Sequence, residues 1–319
     1  MENNTNTPKG FGLFLMTARA YAFPASVIPV FYGSLLSVLF HPGLKFDFII
    51  FALTLIGALS VHIGSNVVND IYDFKKGLDK EDPEIGIPHG GSLVLSKGYV
   101  SMSTMKALAF GSLILACVIG IVLWLMCGPW VLYLMIFGLL AAIYYTANPF
   151  ALKYKALGDV MVFLSFGVGM TLGAYYVQVR EFSWLPVVLS TPIGLLIIAI
   201  LHANNIRDMK FDRVFGVKTI PILIGEQLSK YMYYVLIFGA YASIIIFVAL
   251  KLLPWLALLN IVTLPSALKL VKIIKHIPED GMPRWELGTK HLMMTAQFNM
   301  QFGLVLNIGL LLALLIFGG

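Results

Sequence analysis

Apolar residues gather in long runs along this chain, separated by short polar stretches. Nine runs are long enough to be read as membrane crossings, at roughly 20–40, 47–68, 104–126, 129–147, 157–178, 185–205, 230–250, 253–274 and 297–317. About 20 residues of helix span the hydrocarbon core of a bilayer. Backbone polar groups in that core have no water to bond, so each run must pair them internally as a helix. The runs do not alternate polar and apolar positions, which argues against a transmembrane barrel. The pattern predicts an all-α integral membrane protein of nine helices in one bundle.

Composition agrees with that reading. The chain is 59% hydrophobic and 12% charged, where a soluble domain carries about 25% charge. Charge placement adds an orientation. Of the 22 Lys and Arg residues, only Lys45, Arg180 and Lys251 fall in one set of alternate loops. The rest lie on the other side, which the positive-inside rule assigns to the cytoplasm. An odd number of crossings then puts the N-terminus inside and the C-terminus outside. The net charge of +6 reflects topology and gives no argument for nucleic acid. Residues 1–15 are polar at their start and read as a disordered cytoplasmic tail, leaving 16–319 as a single polytopic domain. Cys117 and Cys127 have no neighbouring His cluster and read as small apolar packing residues.

Two polar clusters interrupt the apolar pattern, both at inside ends of runs. The first is Asn66-Val-Val-Asn69-Asp70-Ile-Tyr-Asp73-Phe-Lys75-Lys76-Gly77-Leu-Asp79. On a helix, positions 66, 69, 70 and 73 share one face. Asp79 lies past Gly77, in a turn that can fold back on that face. The second is Asn204-Asn205-Ile-Arg207-Asp208-Met-Lys210-Phe-Asp212-Arg213. Here Asp208 and Asp212 are one turn apart, with Asn205 three residues before Asp208. These are hard oxygen donors without thiolate, a set that suits Mg²⁺. The plain alternative for any one of these acids is a solvated helix end. Their repetition at helical spacing in two places favours cation binding, because carboxylates packed this closely repel one another otherwise. Lys75, Lys76, Arg207, Lys210, Arg213 and Lys218 are available for phosphate oxygens. Two such faces around a diphosphate make a site for a phosphorylated substrate.

Other positions carry two readings. The run His89-Gly90-Gly91-Ser92 is either a turn or a backbone cradle for an anion. His62 and His202 each precede one acidic cluster inside an apolar run, and read as hydrogen-bonded packing residues. Tyr144 and Tyr145 are either belt residues or, for one of them, a ring facing the interior that can stabilise a cation.

The joint pattern resembles the UbiA superfamily of intramembrane aromatic prenyltransferases. The matching motifs are Asn69-Asp70-Ile-Tyr-Asp73 with a further Asp downstream, and Asp208-Met-Lys-Phe-Asp212. The downstream acid comes at Asp79, ten residues after Asn69, where the 4-hydroxybenzoate enzymes often have it at eight. That spacing is similar to the MenA branch, which acts on 1,4-dihydroxy-2-naphthoate. So are Arg19-x-x-x-Phe23-Pro24-Ala-Ser26, Tyr154-Lys155-Ala-Leu-Gly158-Asp159 and the second motif continued to Gly216-x-Lys218-Thr219. One departure is His89-Gly90-Gly91-Ser92, where many relatives carry a basic residue.

The resemblance implies a bundle around a central cavity, in a bacterial-type inner membrane with the active-site loops cytoplasmic. It implies Mg²⁺ held by Asn66, Asn69, Asp70, Asp73, Asp79, Asp208 and Asp212, with Asp70, Asp73, Asp208 and Asp212 catalytic. Diphosphate contacts are then expected from Lys75, Lys76, Arg207, Lys210 and Lys155. An aromatic acid acceptor is expected at Arg19, Asp159, Tyr145 and Asn205. The implied reaction is transfer of a polyprenyl chain from polyprenyl diphosphate to 1,4-dihydroxy-2-naphthoate with loss of CO₂, in menaquinone biosynthesis. The first rival is another acceptor such as 4-hydroxybenzoate. A cation-coupled transporter fits less well, since its ionisable groups lie near the bilayer midplane and these lie at helix ends. A phosphatidyl-type alcohol transferase is disfavoured because Asp280-Gly281 continues with Met and Pro.

Overall fold

A computed structural model describes residues 9–81, 86 and 89–317. The first eight residues of the expected tail, Pro83 and Pro88 of the first long loop, and the C-terminal Gly319 lie outside the described residues. From Gly10 the chain is already helical, in α1 (Gly10–Thr17). The main helices follow as α2 (Pro24–Phe40), α3 (Phe48–Lys76), α4 (Met102–Cys127) and α5 (Pro129–Tyr144). Then come α6 (Gly158–Val179), α7 (Thr191–Val214), α8 (Glu226–Ala249), α9 (Trp255–Lys275) and α10 (Gly281–Phe317). The described residues form no strand beyond isolated bridging pairs.

Seven helices among the described residues are long and apolar enough to cross a membrane. Two of the nine expected runs do not meet that standard. Helix α5 has 16 residues, about 24 Å at 1.5 Å per residue, against a hydrocarbon core of about 30 Å. The run at 185–205 is divided between a short helix, Leu185–Leu189, and α7, which begins at Thr191. The second half of α7 carries the acidic cluster, so its composition is that of a site as much as of a span. Two helices overrun their expected ends on the polar side: α3 continues to Lys76, and α10 begins at Gly281.

The packing has two halves. Helices α2, α6, α7, α8, α9 and α10 share one core that includes Tyr32, Leu196, Tyr233, Phe298 and Phe302, all essentially without exposure. Helix α3 packs along α4, joined near its polar end by Val67, Ile71, Val94 and Met105. Helix association in lipid depends on close packing rather than on exclusion of water. Accordingly Gly167 of α6 and Gly194 of α7 meet so closely that a Cβ on Gly167 would stand 2.8 Å from the Gly194 Cα. Gly303 of α10 likewise receives the Ile28 side chain of α2. Within α6, residues Phe163–Gly169 widen into a π-helical turn beside α7. Such turns often occur at functional sites.

Candidate active site

Helix α3 presents its polar face at its C-terminal end. Asp73 is buried and held by three donors: Tyr154 Oη at 2.6 Å, Lys153 Nζ at 2.7 Å and Asn69 Nδ2 at 2.8 Å. Asp70, one turn-edge away, pairs with Arg19 and accepts from the Ser92 hydroxyl. Asn66 donates to the Ala18 carbonyl at 3.3 Å, tying α3 to the end of α1. The helix ends at Gly77, whose φ of 74° lets its N–H and that of Leu78 cap the last carbonyls. That turn brings Asp79 back against the site. It accepts from Ser96 Oγ at 3.2 Å, while its Oδ1 is buried with no partner among the described residues. Burial pushes the Asp79 carboxyl up to about 7, and the neighbouring Asp73 and Asp70 push the same way.

Helix α7 supplies the facing acids. Asp208 is bound by the Arg207 guanidinium through two hydrogen bonds of 2.6 Å, and Arg207 also donates to Asn204 Oδ1 at 3.0 Å. Asp212 lies within electrostatic reach of Asp208, Lys153 and Asp73, yet has no hydrogen bond or ion pair among the described residues. The two motifs therefore meet. His89-Gly90-Gly91-Ser92 ties them together: His89 Nδ1 lies 3.1 Å from Asp208 Oδ1, its ring stacks on Phe211 at 4.1 Å, and Ser92 bonds Asp70. Gly90 abuts Asp79. A Cβ on Gly91 would collide with Arg19 and Asp70. A larger residue there would have to displace the Arg19–Asp70 pair, for reasons of space and not of backbone torsion.

The charge balance of this chamber is unequal. Asp70, Asp73 and Asp208 each have a cationic partner in Arg19, Lys153 and Arg207. Asp79 and Asp212 have none among the described residues. Two carboxyls without a direct ion-pair partner among the described residues, one carrying a buried orphan oxygen, fit a site completed by cations. Among the described residues no three acids or imidazoles form a ready-made metal cluster.

Several residues singled out by sequence stand elsewhere. Lys75 and Lys76 are exposed and lie over the rings of Tyr72 and Tyr154, at 5.4 and 3.4 Å. Lys155 is exposed and donates to the Pro149 carbonyl, and Lys210 pairs with Asp280 at the surface. The lysine that faces the aspartates is Lys153, which sequence spacing did not pick out. Asp159 is buried at the start of α6, 3.6 Å from His202 Nδ1, and borders a minor pocket beside the main cavity with Tyr145 and Asn205. Tyr145 also lines the main cavity, while Tyr144 packs edge-on against Phe150. Arg284, a residue with no motif, is 4% exposed and donates to the carbonyls of Ile206 and Arg207, just ahead of Asp208. It also binds Glu226 at 3.0 Å, fixing α10 and α8 to the second motif. Nothing in its sequence surroundings marks that role.

Asp73, Asp208 and Asp212 open onto a cavity of about 650 Å³. Arg19, Asn66, Asn69, Asn204 and Asn205 form its polar end. Below them the walls turn apolar, through Phe166 and Met135 to Leu123 and Val131. A polar end that holds both carboxylates and the cations Arg19, Lys153 and Arg207 is thus joined to a long apolar space.

The chain is similar to known proteins along most of its length. The chain is 28% identical over 296 residues to the 1,4-dihydroxy-2-naphthoate octaprenyltransferase of Bacillus subtilis (strain 168), covering 92% of this chain and 91% of that protein. It is 32% identical over 300 residues to the Drosophila melanogaster UbiA prenyltransferase domain-containing protein 1 homolog, covering 92% of this chain and 77% of that one. Its fold is similar to the apo structure of a UbiA homolog from Aeropyrum pernix K1, with TM-score 0.62, 17% identity and coverage of 93% and 98%. It also resembles an Archaeoglobus fulgidus UbiA homolog bound to GPP and Mg²⁺, with TM-score 0.57, 17% identity and coverage of 92% and 99%. The UbiA prenyltransferase family profile matches residues 26–285. With the match running from α2 into α10 and through both aspartate motifs, the chain belongs to the UbiA family and is a membrane prenyltransferase.

Proposed function

We propose that this enzyme transfers a polyprenyl chain from polyprenyl diphosphate to 1,4-dihydroxy-2-naphthoate, with loss of CO₂, as a step of menaquinone biosynthesis. The observation that carries the diphosphate half is the meeting of two aspartate motifs, with acids in excess, at the polar end of an apolar cavity. The first motif (Asn69, Asp70, Asp73 and Asp79, with Asn66 nearby) and the second (Asp208 and Asp212) would between them supply the one or two carboxylates that each Mg²⁺ takes. A bound Mg²⁺ would supply neutralisation of the charge on the departing diphosphate. Lys153 and Arg207 face the same space and pair with the remaining phosphate oxygens. Breaking the allylic C–O bond leaves a cationic prenyl carbon beneath the aspartates. The Tyr145 ring faces that space, and the apolar walls keep water from capturing the cation. The electron-rich acceptor ring attacks that carbon, and departure of its carboxyl as CO₂ restores aromaticity.

The acceptor half rests on Arg19 and on the similarity to the Bacillus relative. Arg19 borders the cavity beside Asp70, and its Nε is a buried donor without a partner among the described residues. A carboxylate on the acceptor supplies that partner. We extend the proposal to topology: nine crossings, with α5 and α7 completing the seven longer spans, and the aspartate motifs on the cytoplasmic side. The distribution of Lys and Arg supports this.

The test is incubation of membranes containing the protein with labelled polyprenyl diphosphate and a panel of aromatic acids, followed by product mass analysis. The expected product is prenylated naphthoquinol lacking the mass of CO₂. Higher kcat/KM with 4-hydroxybenzoate overturns the acceptor assignment.

A further inference from the structure

His62 lies on α3 on the same side as Asn66, and eight residues before Asp70, about 12 Å along the helix axis. It is 4% exposed, yet it borders the main cavity. Its Nδ1 is 2.6 Å from the Oγ of Ser26, which is fully buried at the start of α2. The ring is held edge-on by Phe166 at 4.8 Å and by Phe23 at 6.0 Å. These contacts fix its position. Ser26 has one hydroxyl hydrogen and one partner among the described residues, the His62 ring. A buried hydroxyl donor left unbonded costs about 1–3 kcal/mol, so Ser26 donates to Nδ1. The hydrogen of the imidazole then sits on Nε2, which has no protein partner among the described residues.

A buried, oriented N–H donor on a cavity wall, between the charged end and the apolar body, needs an oxygen. The prenyl chain offers none. The aromatic acceptor does. We propose that His62, oriented by Ser26, recognises a ring oxygen of the acceptor and selects for a ring with two para oxygens. The inference rests on the acceptor reading above. With the acceptor carboxylate at Arg19, the ring extends down the cavity and one of its two ring oxygens comes toward Nε2. His62 is thus a specificity residue, and Ser26 is a positioning residue acting through it. Sites built to bond a substrate hydroxyl discriminate strongly against an analogue that lacks it, because the buried donor is then left unpaired.

The experiment compares two acceptors in one enzyme preparation: 1,4-dihydroxy-2-naphthoate and 1-hydroxy-2-naphthoate, which lacks the 4-hydroxyl. The quantity read is the ratio of their kcat/KM values with labelled polyprenyl diphosphate. That ratio does not depend on how much of a variant folds, and intrinsic differences in ring reactivity cancel between variants. His62→Leu is expected to lower the ratio about tenfold or more relative to the wild type, through the dihydroxy acceptor. His62→Gln, which keeps an N–H donor, is expected to recover part of it, and Ser26→Ala to fall between. KM for the diphosphate should stay within about threefold throughout. An unchanged ratio in His62→Leu overturns the assignment of His62 while leaving the acceptor reading intact. If the wild type prenylates neither naphthoate but still prenylates another acid, the acceptor reading fails and this inference with it.

Discussion

Lys153 and Lys155 provide the sharpest test of the site geometry, because they are two residues apart and the structure treats them oppositely. Lys153 Nζ bonds Asp73 Oδ2 at 2.7 Å, with 23% of its side chain exposed against 4% for Asp73. Lys155 is exposed and reaches only the Pro149 carbonyl at 3.3 Å. Lys153→Met keeps most of the stem and removes the charge. Asp73 then retains Tyr154 and Asn69 as donors but loses its cation. A hydrogen bond to a charged group is worth about 1.5–3 kcal/mol, which corresponds to about a 10- to 150-fold loss in kcat/KM at 1.4 kcal/mol per decade. The loss is expected chiefly in the diphosphate term, since Lys153 faces that end of the cavity. Lys155→Met should stay within about threefold of the wild type, as exposed contacts contribute little. The assay is steady-state prenyl transfer with the diphosphate varied at saturating acceptor, on protein normalised by quantitative blotting. Equal losses in the two variants, or a larger loss for Lys155→Met, would refute the assignment of Lys153.

Alanine at Asp70, Asp73, Asp208 or Asp212 should each lower turnover at least about a hundredfold, about 2.7 kcal/mol, with the protein still in the membrane. Chelation should abolish wild-type activity and Mg²⁺ restore it; full activity in EDTA ends the cation reading. In a protein stripped of Cys117 and Cys127, a cysteine at Lys218 should be labelled only from the cytoplasmic side, and cysteines at Glu181 and Lys251 only from outside. Labelling of Lys218 and Lys251 from one face would refute the assigned topology. Arg284→Ala leaves the Ile206 carbonyl and Glu226 without this donor. It should cost about 1–3 kcal/mol of stability, read as a lower thermal midpoint in detergent; an unchanged midpoint removes Arg284 from the support of the second motif.

Much of this enzyme is written locally. Runs of apolar residues determine helices in lipid by themselves, because an unpaired backbone group there is too costly for any other spanning structure. The Asn66–Asp73 face and the Asp208–Asp212 pair follow from helical periodicity alone, and the turn at Gly77 follows from the one residue free to adopt a left-handed φ. Run length does not set the helix ends: α5 begins at Pro129 after Gly128 and stops at Tyr144, and α7 begins at Thr191-Pro192 after a break at Ser190, proline being favoured in the first turn of a helix. What only the tertiary structure decided is which charges meet. Lys153, His89, Ser92 and Arg284 lie in loops or on helices far along the chain from the acids they serve, and no periodicity links them. Conversely Lys75, Lys155 and Lys210 are close in sequence to acids or motifs but are exposed, while Lys76 reaches the site only through the ring of Tyr154. Sequence spacing constrains side chains on one helix, whereas contacts between helices depend on how the helices pack. The ion pairs and the orphan acids of the site belong to that second kind, and so does the donor face of His62.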